Sequence, residues 1–554
     1  MLQTRLADAP LRTRTHEKVW GKRLFWLTLC LSLLIDTGWL GLVDAQYRLR
    51  TAHWLWTGAP PVDEEDSSPF VLTGVNGTRH SWYGLGQSVL MLPGDLVATL
   101  TIRATGLNAS EKQNQLREFI VVILTFPLLA AAAAYALYAL LLRLGLTSTE
   151  AFLSVLVALF ATRLLNIMQI HQEDIHHLLF LAGATYWLFR WLDDKRGLFL
   201  GLAAACFGFN LLTRLTTGMD VIVVTTAIAV LLVREQKLSW RDAIQTRTKQ
   251  IFLIFVPVLL LFVLTDRLFH FYRFGEWTST YLGLVAKRVL SENPGWPASW
   301  PWTYPFWKGF LEAFYSPLWG VIFFDPLFVV SALLFAVGWK EIPLRLKVMA
   351  LALGVLWLGY AAFYARYYSP PGFTAWGNRY LSVPTILLSA LALPAWLTLR
   401  WRASTIKAAA FAAVLAWSIA IQLSSIVLHP NHEILQSGAL EQQIQSAATG
   451  QDQAEARIDY FPTIFRRFQN IVTMIREGVL DSEFQPHFFA VRALYAKSGG
   501  AYVFPPYVRQ GVLIAWGVSF VGLLILIIKF AREASSQRSV GYAEGVAPKL
   551  LHRE

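Results

Sequence analysis

Cysteine is almost absent from this chain of 554 residues: only Cys30 and Cys206 occur, both inside apolar runs. That excludes a disulfide framework and a cysteine-ligated metal site. Charged residues are scarce as well, at 15% of the total, where soluble domains carry about 25%. No P-loop, G-x-S-x-G or kinase-type signature stands in a supporting context, and no H-E-x-x-H spacing is present, so the familiar motifs for nucleotide, serine-hydrolase and zinc-protease chemistry are missing. Tandem repeats and low-complexity tracts are missing too. The formal net charge of +12 does not point to nucleic acid, because basic residues of membrane proteins collect on the cytoplasmic side.

What the chain has in abundance is apolar residues, 55% of the total, in long runs that recur along its length. About 20 such residues cross a bilayer core as a helix. The run from Leu24 to Val43 follows a basic segment but holds Asp36 and lacks a small-residue cleavage site, so it reads as a retained span rather than a signal peptide. Twelve spans fit, near 24–43, 119–142, 150–168, 176–192, 197–213, 217–233, 250–268, 317–338, 346–364, 381–399, 407–427 and 511–530. Residues 1–23 hold six Lys/Arg and residues 529–554 hold five, which places both termini in the cytoplasm. The reading is an all-α polytopic membrane protein with about twelve transmembrane helices.

The short loops are basic: 193–196, 234–249, 340–347 and 400–407. The long segments fall on the opposite side: 44–118, 269–316, 365–380 and 428–510. Segment 428–510 turns polar and Gln-rich, then aromatic in "DYFPTIFRRF", and reads as a small external, mainly helical subdomain. The chain therefore divides into a basic N-terminus (1–23), a transmembrane module (24–427), that subdomain, a last span (511–530) and a cytoplasmic tail (531–554). Most of the mass outside the membrane lies on the external side, which makes it the working face.

Polar residues at span ends on that face are the candidates for function. Asp44 ends the first span, and on a continuing helix it shares a face with Tyr47, Arg48 and Thr51. It reads either as a general base with a raised pKa beside an apolar wall or as a helix-end carboxylate paired with Arg48. Asp36 lies two turns deeper, where an ionisable group needs a partner; a proton relay and a carboxylate bound to another span are both open. The turn "RLLNIMQIHQEDIHHLL" carries His171, Glu173, Asp174, His176 and His177. A divalent metal site, an acidic pocket wall and ordinary interfacial polarity are its three readings. Arg163, Arg214, Arg366, Arg379 and the pair Lys287 and Arg288 oppose the positive-inside bias. Either they hold a fixed phosphate, which a guanidinium fork suits, or they snorkel to headgroups.

Five stretches resemble the GT-C membrane glycosyltransferases, in the family's order over about residues 24–400: "DAQYRLRTAHWLWTG", "GTRHSWYGLGQSVLMLPGDL", "FYRFGEWTSTY", "FYSPLWGVIFFDPLFVV" and "GNRYLSVPTILL". The likeness is to bacterial members that use polyprenyl-phosphate sugars, of the protein mannosyltransferase and aminoarabinose transferase kind. Asp325-Pro326 departs from that pattern, where relatives show Ser or Tyr before Pro.

The resemblance implies a bacterial inner-membrane enzyme with an external active site. Its polyprenyl-phosphate-sugar donor would lie with the lipid tail between spans, and its acceptor would be a cell-envelope glycan, lipid or protein hydroxyl. It implies that Asp44 is the base and that the second acidic position is Glu173 or Asp174. Arg48, Arg163, Arg214, Lys287, Arg288, Arg366, Arg379, Tyr380, His171 and His176 would then contact substrate; no cofactor is certain, and a divalent metal stays open. It also implies that the first external loop forms interfacial helices roofing the site. In "HSWYGLGQSVLMLP", Trp82 and Tyr83 would then sit in the interfacial belt, the glycines would allow a tight turn, and Pro93 would end the piece. Two rivals are a lipid-linked glycan ligase or polymerase, with 428–510 as its external loop, and a lipid or sugar transporter, which would call for inverted repeats.

Overall fold

A computed structural model describes residues 11–529 except 42, 64, 65, 67, 69, 108, 238, 240, 242–246, 370, 373, 374, 400–403, 430, 440–457, 479–487, 489–509, 511 and 512. The Gln-rich part of the predicted subdomain, the cytoplasmic tail, the first ten residues and parts of the 234–249 and 400–407 loops lie outside the described residues. What is described is almost wholly helical, with one short hairpin of β1 (Val71–Thr73) and β2 (Arg79–Ser81) paired Val71 to Ser81.

Among the described residues, six helices are long and apolar enough to cross a membrane: Ser110–Arg143, Leu215–Gln236, Arg247–Phe274, Leu344–Tyr364, Arg379–Thr398 and Thr405–Val427. Outward-facing Leu260, Leu261, Leu333 and Leu351 are each more than half exposed, a face that hydrocarbon covers and water does not. The chain is thus a helical membrane protein. The count of six differs from the predicted twelve because several predicted spans are shorter or broken. Ser148–Ala161, Gly197–Leu211 and Pro326–Gly338 are apolar helices below full span length. The predicted span 317–338 is two helices, Val321–Phe324 and Pro326–Gly338, parted at Asp325. Proline has no N–H to continue the first helix but starts the second without strain.

The first predicted span also ends early. Helix α1 (Leu11–Ile35) stops at Asp36, whose carboxylate accepts the Gly38 N–H at 2.7 Å. Such a side-chain turn competes with helix, and Gly38 then takes φ +71°, which costs glycine little. Asp36 therefore lies in a turn and not two helical turns below Asp44. A new helix, α2 (Val43–Thr57), carries Asp44, Tyr47, Arg48 and Thr51. Helix α3 (Gly86–Thr105) contains Pro93 and runs on past it, so Pro93 does not end the segment. Helix α4 (Ser110–Arg143) packs on α1, on α3 and on α7 (Asp174–Asp194). Between them, α5 (Ser148–Ala161) opens on a capping box, Thr147 with Glu150, and α6 is the single turn Leu164–Ile167.

Within the predicted external subdomain, the described part is held by one side chain. Arg467, on the helix Thr463–Glu477, is wholly buried and bonds Glu433 at 2.7 and 2.6 Å. It also donates to the carbonyls of Ser424, Ser425, Leu428 and His429. Those of Ser424 and Ser425 are orphan carbonyls in the last turn of helix Thr405–Val427, which a cation suits by charge and by bonding.

Candidate active site

Four ends of helices meet around one cavity of about 690 Å³. Asp44 and Arg48 reach it from the first turns of α2, one helical turn apart, so both point the same way. Glu173 is the residue before α7, and Arg214 follows α8 (Gly197–Leu211). Arg379 and Tyr380 come from the one-turn helix Arg379–Leu381. All six line the cavity.

Glu173 is the hub. Its Oε2 accepts Arg48 Nη1 at 2.7 Å, and its Oε1 accepts Arg379 Nη2 at 2.8 Å and Arg214 Nη2. Burial pushes this carboxyl up, but Arg379, Arg48 and Arg214 outweigh burial and hold it well below the usual carboxylate range. Asp44 lies beside the hub. Its Oδ2 accepts both Nη1 and Nη2 of Arg379 at 3.2 Å, and its Oδ1 accepts the Tyr83 hydroxyl. Three guanidiniums thus face two carboxylates along the wall, an excess of one positive charge. The Nε–H groups of Arg48 and Arg379 are buried and have no hydrogen-bond partner among the described residues.

Aromatic rings make much of the remaining wall. Tyr364 stacks on Tyr380 at 3.8 Å and 4° between planes, and Arg214 lies over Tyr380 at 5.3 Å. Tyr367, Tyr368, Tyr281, Trp302, Phe363, Phe70, Trp82 and Tyr83 also line the cavity. Such a wall offers flat apolar faces with phenol groups at the edges. Trp82 and Tyr83 both line the cavity. Gly84 serves close approach: a Cβ there would stand 2.4 Å from Leu212 O and 2.8 Å from Thr213 O. Gly84→Ala is expected to lower stability by about 1–3 kcal/mol, as overpacking does, read as a lower Tm in detergent.

Several predicted site residues lie elsewhere. His171 bonds Trp39 O at 2.8 Å and Asp36 Oδ2 at 3.4 Å, and His176 meets Thr213 Oγ1 at 3.2 Å. Neither reaches the cavity, because alternate residues of this turn point to different neighbours. His177 pairs with Asp220 at 2.6 Å, so the acidic, histidine-rich turn disperses into separate pairs. Among the described residues, no group of three His, Cys, Asp or Glu is placed to hold a metal. Asp174 stands behind the wall, 4.0 Å from Arg379 Nε. Arg163 is buried against Asn378. Lys287 pairs with Glu276 in solvent, and Arg288 with Glu292 and Val71 O. Arg366 is exposed and bonds Trp302 O at 3.3 Å. Sequence reasoning missed Gln87, wholly buried, which accepts from Arg48 at 2.9 Å and donates to His171 O at 3.0 Å. Of the tyrosine wall it named Tyr380 and missed Tyr364, Tyr367 and Tyr368; the four Tyr of "YARYYSPPGFTAWGNRY" were the available signal.

No family model matches the chain, and no curated protein matches it. Among solved structures, the chain is similar to the archaeal oligosaccharyltransferase AglB from Archaeoglobus fulgidus, in complex with an inhibitory peptide and a dolichol-phosphate. That likeness covers 90% of this chain and 63% of that one, less than two thirds of its length, at 14% identity and a TM-score of 0.37.

Proposed function

We propose that this chain is an inverting glycosyltransferase of the GT-C type. It moves a sugar from a polyprenyl-phosphate-linked donor to an acceptor hydroxyl on the external face of a bacterial inner membrane. One observation carries the reading: a carboxylate, Asp44, shares a cavity with three guanidiniums whose positive charge exceeds by one that of the two carboxylates lining it. A sugar phosphodiester carries one negative charge.

The chemistry follows from what each group can do. A carboxylate offers about four acceptor directions, and Tyr83 takes one on Oδ1, leaving the other for an acceptor hydroxyl. Asp44 accepts that proton as the hydroxyl oxygen attacks the anomeric carbon from the face opposite the phosphate. The bond from that carbon to the phosphate oxygen breaks, its electron pair stays on the oxygen, and configuration inverts. Arg379, Arg214 and Arg48 stabilise the leaving phosphate, and Glu173 keeps the three guanidiniums converged before substrate arrives. The tyrosine wall suits the faces of a sugar ring.

Mass spectrometry of cell-envelope extracts with and without the gene tests this. Loss of one sugar mass from an acceptor, with build-up of the polyprenyl-phosphate sugar, is the expected result; identical extracts would sink it. Complementation with Arg379→Ala is expected to fail and with Arg366→Ala to succeed, and equal outcomes would remove the phosphate argument. Placement of the hairpin outside is checked at Asn76, which is exposed. Asn76→Cys should react with an impermeant thiol reagent in intact spheroplasts, and labelling only after lysis would reverse the orientation.

A further inference from the structure

Arg163 was a candidate phosphate ligand, yet it points away from the cavity and ends on the chain just before Arg379. It sits between α5 and α6, only 3% exposed. Its backbone N–H donates to Asp325 Oδ1 at 3.2 Å, and its Nη1 donates to the carbonyl of Asn378. That carbonyl and the N–H of Arg379 belong to one planar peptide group. The N–H half of the same group donates to Pro371 O at 3.0 Å. The peptide that leads into Arg379 is therefore pinned at both edges. The far side is pinned as well: Asn378 Oδ1 accepts Tyr380 N–H at 3.2 Å, and Ser382 Oγ donates to Arg379 O at 2.7 Å.

A guanidinium bonded to a carbonyl is a charge-assisted contact, stronger than a neutral one. Burying that cation is costly without a counter-charge. Asp325, itself 2% exposed, lies close enough for its N–H bond and field to supply one. An ordinary buried ion pair would have no reason to spend its guanidinium on a single main-chain oxygen. Here that oxygen belongs to the residue before the arginine that bridges Asp44 and Glu173.

We infer that Arg163, held by Asp325, is a positioning residue for Arg379: it fixes the peptide that aims the Arg379 guanidinium at the donor phosphate. The inference rests on the reading that Arg379 binds that phosphate.

The test is binding of undecaprenyl phosphate to the purified full-length chain, titrated by native mass spectrometry, with Tm followed in parallel. Arg163→Met is expected to weaken binding about tenfold, and Arg163→Lys, which keeps the charge beside Asp325 and one donor, to recover part of the loss. In an Arg379→Ala background, Arg163→Met should have no further effect, because coupled residues are non-additive. Additive losses, or equal binding by Arg163→Met and the unaltered chain, overturn the positioning role alone. Failure of the unaltered chain to bind overturns the donor reading and the inference with it. If Arg163→Met does not fold, the same cycle is run with Arg163→Lys, whose loss must likewise vanish beside Arg379→Ala.

Discussion

Asp44→Asn is expected to abolish sugar transfer while leaving the protein folded. The amide keeps the shape of the carboxylate and loses its basic charge, and removal of a general base typically costs about 10²–10⁴-fold. The Asp44 side chain is 22% exposed, against 5% for Glu173, so its charge contributes far less to folding. Transfer from a polyprenyl-phosphate sugar, measured beside Tm, separates the two effects. Asp36→Asn is the matched control. Asp36 is buried, accepts Gly38 N–H and pairs with His171, so that variant should lose yield and Tm and keep turnover. If Asp44→Asn turns over normally and Asp36→Asn is folded and inactive, the base is Asp36.

Glu173→Gln should destabilise the fold strongly. Three guanidiniums converge on this carboxylate, and removing one partner of a buried charge cluster costs about 3–5 kcal/mol. The variant is expected to melt well below the unaltered chain in detergent; equal melting would show that water or lipid already neutralises the arginines. The pH dependence has a definite sign. Glu173 titrates well below its ordinary range in the folded protein, so its contribution is present above the unfolded value of about 4.3 and is lost as pH falls through the folded value. Stability of the unaltered chain should therefore decline on acidification below about pH 4.3, and Glu173→Gln should lack that part of the decline.

The helices were legible in the sequence because long apolar runs permit little else in a bilayer. Their breaks were not. Asp36, Arg163 and Asp325 each interrupt an apolar run at a point where a side chain bonds the main chain, and hydropathy averages over such a residue. At the site, Asp44, Arg48, Glu173, Arg214 and Arg379 stood out as charges at span ends, where charge needs a reason. Which of the neighbouring charges faced the cavity was hidden, since partner choice depends on helix rotation. Lys287, Arg288 and Arg366 found acids or carbonyls on the outside, and His171 and His176 turned to other helices. Tyr364, Tyr367 and Tyr368 were hidden for a different cause: in a chain that is 14% aromatic, one more Tyr carries little information until its neighbours are known.

The bridge from Arg379 to Asp44 joins residues 335 apart in the chain, and this has a consequence for biogenesis. During synthesis the carboxylates of Asp44 and Glu173 enter the membrane long before Arg379 leaves the ribosome. Until then Asp44 lacks its arginine and Glu173 lacks one of three. A charge short of partners is expensive next to hydrocarbon, so the nascent bundle cannot close around its own centre and must stay open to water or to an insertion factor. Arrival of Arg379 removes that penalty in one step. The cluster of Asp44, Glu173 and Arg379 therefore doubles as the latch that completes assembly.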